Sequence, residues 1–263
     1  MRHGCDARPA GIRFLPVPAI VGVLFAAGAV FRICLGDPGL AAGRDEDPFA
    51  SKRAAMVEQQ VAARGVRDPV VLDALRAVPR HLFVPPELRG EAYSDFPLPI
   101  GEGQTISQPY VVAVMTESVA LGKKDKVLEV GTGSGYQAAV LSRLAATVYS
   151  IEINANLARR AADTLKSLGY TNVHVRSGDG FFGWREEAPF QAIIVTCAVG
   201  RVPPRLLEQL AEGGRLVLPL GDSQSYQTLT LITKKNGKPV VRRIFEVRFV
   251  PMTGEAIKKK RAN

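Results

Sequence analysis

Residues 126–136 read KVLEVGTGSGY, and the interpretation of this stretch decides the fold. Val127, Leu128 and Val130 are the short apolar run of a buried strand. Gly131, Gly133 and Gly135 follow in quick alternation, and Tyr136 to Ala146 has the apolar spacing of a helix. Strand, glycine-rich turn and helix make the first half of a nucleotide-binding βαβ unit. Its glycines let the backbone turn sharply and come close to a ligand that any Cβ would block. Thr147 to Ile153 predicts the second strand, with Glu152 near its end. Glu152 lies 21 residues after Gly131, about where such folds set an acid against ribose hydroxyls.

Downstream, the same alternation continues. Ala155 to Leu168 predicts a helix stopped by Gly169. Val173 begins a third strand that ends at Ser177, ahead of Gly178, Asp179 and Gly180. Gln191 to Val199 predicts a fourth strand, buried on both faces, and Gly214 to Gly221 a fifth. Thr228 to Thr233 and Val240 to Val250 flank Asn236-Gly237, a hairpin turn signal. Five strands alternating with helices, then an antiparallel pair, indicate an α/β, doubly wound Rossmann-like sheet, mostly parallel with an antiparallel C-terminal strand pair.

Upstream, Pro48 to Arg64 predicts an amphipathic helix with Ala55, Met56, Gln59 and Ala63 among its positions. Asp68 caps a second helix that has Pro69 in its first turn and runs to Ala77. Gly101 to Gln108 reads as a polar loop, and Pro109 starts a helix to about Leu121. Segments that precede the first strand can fold over its carboxyl end, where ligands bind in such sheets.

The expected domain spans residues 44–263, with 44–121 as its helical, substrate-covering part. Residues 1–43 stand apart as an extension and linker. Arg2, Arg8 and Arg13 precede an uncharged stretch from Phe14 to Phe31 that contains Pro16 and Pro18. Three interpretations of this segment stand open: a signal peptide, a poor membrane anchor, or a start codon placed too early. Membrane contact is expected only through residues 14–31. Cytoplasm is the expected compartment, with a periplasmic or membrane-anchored location as the alternative.

The chain has 34 Lys and Arg against 25 Asp and Glu, and 46% hydrophobic residues, ordinary for a globular protein with a real core. Part of the basic excess is the run Lys258 to Arg261, expected to be a solvated tail and not a nucleic-acid site. Cys5, Cys34 and Cys197 lack metal or redox spacing, so neither a zinc site nor a disulfide framework is expected.

The glycine spacing is G-x-G-x-G, not the G-x-G-x-x-G that dinucleotide binders favour, and Glu129 precedes the first glycine by two residues. A carboxylate there would repel a pyrophosphate. It suits the ammonium and sulfonium of S-adenosyl-L-methionine, directly or through water.

Six blocks in order then resemble one family: SQPYVVAVMTE at 107–117, VLEVGTGSGYQAAVL at 127–141, GDG at 178–180, IIVTCA at 193–198, EGGRLVLPLG at 212–221 and VRFVPMT at 247–253. Together they resemble protein-L-isoaspartate O-methyltransferase over roughly residues 50–253. The resemblance implies methyl transfer from S-adenosyl-L-methionine to the free α-carboxyl of L-isoaspartyl residues in damaged proteins or peptides; the alternatives are another class I methyltransferase acting on RNA or a small molecule, or a catalytically idle binding module on the same fold. The ester then closes to a succinimide, and repair follows. It also implies Ser107 as the active-site residue, with Thr105, Ile106, Gln108 and Tyr110 lining the same mouth. Glu129, Gly131 and Ser134, within the turn that Gly133 and Gly135 complete, would hold the methionyl end. Glu152 would take the ribose, Asp179 and Gly180 the adenine side, and Thr253 would close over substrate or cofactor. Family members often carry Ala where Cys197 stands. A carboxylate nucleophile is already ionised at neutral pH, so no triad, metal or dedicated base is expected, and a monomer suffices.

Overall fold

The computed structural model describes residues 47–222 and 225–256. The expectations for residues 1–43 and for Lys258 to Arg261 lie outside them. No helix among the described residues is long and apolar enough to cross a membrane.

The centre of the sheet is β3 (Lys126–Val130), four of whose five residues are buried. Parallel to it lie β4 (Thr147–Glu152) on one side and β6 (Phe190–Val195) on the other. Beyond β4 is β5 (Val173–Ser177); beyond β6 is β7 (Leu210–Leu220), also parallel. Two antiparallel strands, β8 (Gln227–Lys235) and β9 (Lys238–Val247), complete the order β5-β4-β3-β6-β7-β8-β9. Asn236 and Gly237 join the last two with φ of 52° and 71°, the paired positive values of the tight hairpin turn that Asn-Gly favours.

Strand alternation sends side chains to two apolar layers. Val127, Ala192, Ile194 and Val217 face α3 (Pro109–Val119) and α4 (Tyr136–Ser142), packing with Val112, Met115, Ala138 and Leu141. Leu128, Val130, Ile193 and Leu216 face the other way, with Phe181 and with Leu206 of α6 (Pro204–Gln209). After β3 the chain winds outward through β4 and β5, then returns to β6 on the opposite flank. The carboxyl ends of β3 and β6 therefore border the switch point, where a crevice opens in sheets of this kind.

Three upstream or strand-end expectations change. The segment read as a polar loop contains a hairpin, β1 (Leu98–Gly101) paired with β2 (Gln104–Ile106), turning through Gly101, Glu102 and Gly103, all with positive φ. Leu98, Ile100 and Ile106 are buried beneath it. The helix expected over 48–64 is three pieces: α1 (Ala50–Ala55), a π-helical turn (Met56–Val61) and a 3-10 turn (Ala62–Arg64). Its wider turn brings Met56, Val57 and Val61 inward together, while Gln59 and Ala63 stay exposed. The fourth strand stops at Val195. Residues 196–199 are irregular: Thr196 N donates to Val130 O at 2.9 Å, Val199 N to Pro219 O at 3.0 Å, and Ala198 exchanges hydrogen bonds with Val250 and Met252, each 2.8 Å. The second helix forms as expected, α2 (Pro69–Ala77), with the Asp68 carboxylate accepting from Val70 N at 2.9 Å.

Candidate active site

The glycine turn is built by the ends of β3 and β4. Gly131 N donates to Ile151 O at 2.8 Å and Gly135 N to Thr132 O at 2.8 Å. Gly131, Gly133 and Gly135 have φ of 97°, 54° and 89°. At Gly131 a Cβ would also collide with Thr196 Oγ1, whose hydroxyl lies 2.6 Å from Gly131 O and 3.1 Å from Val130 O. Gly135 serves packing: a Cβ would press on Leu165 Cδ1 of α5 (Ala155–Ser167) at 3.1 Å.

In front of this turn is a cleft of about 350 Å³. Gly131, Gly133, Glu152, Asp179, Gly180 and Thr253 all line it, so the structure brings these six expected residues together. Glu152 is buried, its carboxylate accepting from Gly133 N and Asn154 N, both at 2.9 Å. Asp179 accepts from Phe181 N at 2.9 Å and Glu255 N at 2.8 Å, and so ties the segment after Thr253 across the cleft. Among the described residues no Lys, Arg or His lines this cleft, whereas two carboxylates do. Such a wall repels a pyrophosphate and accommodates a sulfonium, an ammonium and ribose hydroxyls. The residues present thus fit S-adenosyl-L-methionine. Cys197 also borders the cleft, its thiol pushed up to about 12 by burial and by Glu152 and Asp179 nearby, which favours the protonated form.

A second cavity, a groove of about 870 Å³, runs beside the first. Ser107, Gln108 and Tyr110 line it, together with Arg64, Phe245 and Arg248. Gln108 is anchored by Nε2 to Asp95 O at 2.8 Å, and Tyr110 lies beneath the Arg64 guanidinium at 3.6 Å. Between cleft and groove sits a small cavity of about 40 Å³, bordered by Ile106, Ser107, Ser134 and Gln137. Thr105 and Thr196 border all three spaces.

Glu129 is placed differently from its expected neighbours. It is 0% exposed and does not line the cleft. Its Oε2 accepts from Ser150 Oγ, which is 2.6 Å from Thr132 Oγ1. Its Oε1 has no partner among the described residues. Burial raises its pKa to about 8, the Ser150 hydrogen bond pulling it down and Glu152 pushing it further up. The reason is positional. Glu129 pairs with Ser150 across β3 and β4, so its side chain stays within the layer that holds Val127 and never reaches past the strand end.

Thr196 and the Val250–Met252 wall of the cleft are site features that the sequence alone did not single out. The sequence carries no local signal for Thr196, since the apolar run that predicts the fourth strand continues past it to Val199.

A doubly wound sheet with an acid-walled, phosphate-averse cleft at its switch point defines a class I S-adenosylmethionine-dependent methyltransferase fold. The family model for protein-L-isoaspartate(D-aspartate) O-methyltransferase matches residues 51–257. The chain is 57% identical over 214 residues to protein-L-isoaspartate O-methyltransferase 2 of Shewanella sediminis, covering 81% of this chain and 88% of that one. It is 55% identical over 217 residues to the Opitutus terrae enzyme, covering 82% and 93%. A solved protein-L-isoaspartate O-methyltransferase superposes with a TM-score of 0.72 at 31% identity, over 81% of this chain and 69% of that chain. A Plasmodium falciparum relative, solved with S-adenosyl-L-homocysteine, gives 0.66 at 25% identity, over 76% and 98%. The chain belongs to the protein-L-isoaspartate O-methyltransferase family. The activity of that family is S-adenosylmethionine-dependent methylation of isoaspartyl residues in proteins, which begins their repair.

Proposed function

We propose that the cleft takes the cofactor and the groove takes the chain around an L-isoaspartyl residue, the two meeting at Thr105 and Thr196. Glu152 holds the ribose, Asp179 and Gly180 face the adenine, and Gly131, Gly133 and Ser134 face the methionyl end. Thr253 closes the cleft, Gln108 and Tyr110 shape the mouth of the groove, and Ile106 backs the small cavity beside it. The single observation that carries this reading is that Ser107 borders the groove and not the cleft. Ser107 is thus on the substrate side, where its hydroxyl donates to the attacking carboxylate and orients it without removing its charge.

When bound, the cofactor would be held by Glu152, Asp179, Gly180 and the glycine turn, and would supply a sulfonium-activated methyl to a carboxylate that is already ionised. No proton moves, so the residues of the chain have only to hold, align and exclude water. Labelled methyl transfer to an isoaspartyl peptide and to its aspartyl twin tests the reading. Base-labile label on the isoaspartyl peptide alone is expected; equal labelling of both peptides, or of neither, overturns it.

The same reading has the enzyme working in the cytoplasm, where its cofactor is made, and on proteins in preference to nucleic acid. Residues 44–121 cover the substrate, and residues 1–43 lie outside the catalytic domain. A monomer is supported by β9, the sheet edge, which carries Lys238, Pro239, Arg242 and Arg243, residues that discourage edge-to-edge pairing. Sedimentation at micromolar concentration checks that state.

A further inference from the structure

Thr196, the residue directly after β6, borders the cleft, the groove and the small cavity together. Thr105 shares all three but stands exposed on the β1–β2 hairpin, with no hydrogen bond to its side chain among the described residues. Thr196 is fixed. Its amide donates to Val130 O at 2.9 Å, and its hydroxyl is spent on Gly131 O at 2.6 Å, with Val130 O at 3.1 Å. A threonine hydroxyl has one hydrogen and two lone pairs. With the hydrogen directed at a backbone carbonyl, Oγ1 can act toward a ligand only as an acceptor. Gly131 is what makes the room: a Cβ there would collide with Oγ1.

A carboxylate gains nothing from an acceptor, so the substrate's charged group is not what Thr196 recognises. The other reactant at the junction is a methyl bound to a sulfonium, whose hydrogens carry partial positive charge. That charge grows as the carbon flattens between oxygen and sulfur, and a fixed oxygen lone pair beside it is worth more in the transition state than before it. We infer that Thr196 is a catalytic residue of this enzyme, its hydroxyl oxygen accepting C–H···O contacts from the methyl group in transfer. The inference rests on the assignment of cleft and groove made above. It adds a second side chain with a task opposite to that of Ser107: Ser107 donates to the nucleophile, and Thr196 accepts from the electrophile.

Affinity measurements separate this role from a purely structural one. Three probes are titrated calorimetrically into wild type, Thr196→Val and Thr196→Ser: S-adenosyl-L-methionine, S-adenosyl-L-homocysteine (which lacks the methyl), and an analogue with a primary ammonium in place of the methyl-sulfonium centre. The ammonium presents true N–H donors at the same place, so its loss on removing the acceptor is the larger. Thr196→Val is expected to bind the ammonium analogue about tenfold more weakly and S-adenosyl-L-homocysteine within about threefold of wild type, with kcat on the isoaspartyl peptide down about tenfold. Thr196→Ser, which keeps the oxygen, restores both to within about threefold. Thr196→Ala is read in the same way if the valine variant does not fold.

Equal weakening of all three probes would mean that Thr196 only shapes the glycine turn, and overturns the inference. So does undiminished binding of the ammonium analogue. Failure of the underlying assignment is seen separately, in wild type, as absent transfer to the isoaspartyl peptide.

Discussion

Replacing Glu129 by Gln isolates a single buried carboxyl. Gln keeps the shape and the oxygen that accepts from Ser150 Oγ, and removes only the ability to ionise. The Glu129 pKa is raised from 4.5 to about 8 because burial disfavours the charged form. In the folded protein the group therefore keeps its proton at pH values where the unfolded chain has released it. The stability it contributes is fully present below about pH 4.5, falls as pH rises, and levels off above about pH 8. Within that window each pH step of one costs ~1.4 kcal/mol, so ~5 kcal/mol is lost across it. Glu129→Gln has no such slope. Urea unfolding of both proteins at pH 5, 6, 7 and 8 without ligand measures the difference, in which titrating groups not coupled to Glu129 cancel. The variant should gain on wild type by ~1.4 kcal/mol per pH step and lead most at pH 8. Curves that run parallel from pH 5 to 8 would refute the burial of an uncompensated acid at this position. Because Glu129 does not line the cleft, S-adenosyl-L-homocysteine affinity in the variant should stay within about threefold of wild type at pH 6.

Ser107→Ala should lower kcat at least tenfold, the loss of about one hydrogen bond to a charged group, and leave calorimetric cofactor affinity unchanged; an equal loss of both would remove Ser107 from the groove side. Glu152→Ala takes away an acceptor that also holds Gly133 N and Asn154 N. It should weaken cofactor binding by ~1.5–3 kcal/mol for each hydrogen bond lost, and wild-type affinity would exclude Glu152 from ligand contact. Gly180→Ala drives a methyl into Val130 Cγ1, an overpacking expected to cost ~1–3 kcal/mol in urea unfolding. An unchanged midpoint would mean that the β3–β6 crevice yields more readily than its packing implies.

The parts of this molecule that were legible in the sequence are those decided by local chemistry. Asp68-Pro69 specifies a helix start because a carboxylate and a missing N–H both suit the first turn. Asn236-Gly237 specifies a tight hairpin because two successive positive φ values are needed. The central strand and glycine turn are read for the same reason. The β1–β2 hairpin was not legible. Its strands are four and three residues long, and what stabilises it is burial of Leu98, Ile100 and Ile106 under distant elements. The π-helical turn at Met56–Val61 likewise follows from the need to bring Met56, Val57 and Val61 into one core, which a helical pattern of period 3.6 does not encode.

Two side chains show where a motif stops short of a site. Glu129 and Glu152 are both acids near strand ends flanking the glycines, and spacing alone gives them similar standing. The structure separates them by cross-strand register. Opposite Glu129 is Ser150, a small hydroxyl that accommodates the carboxylate within the layer. Glu152 sits one residue past the last paired position of β3, where its carboxylate reaches the amides of Gly133 and Asn154 at the cleft. Thr196 shows the converse. Nothing in T-C-A-V marks it, and its position at the junction depends on the missing Cβ of a glycine 65 residues earlier. That dependence gives Gly131 two independent reasons to be glycine: a φ of 97° and the space for the Thr196 hydroxyl. Relieving either one alone would still not admit an alanine. In Thr196→Gly the space opens but the left-handed backbone at residue 131 remains, so Gly131→Ala should stay destabilising by ~1–2 kcal/mol in that background. Recovery of full stability in the double variant would mean that collision, and not conformation, is what fixes the first glycine of the turn.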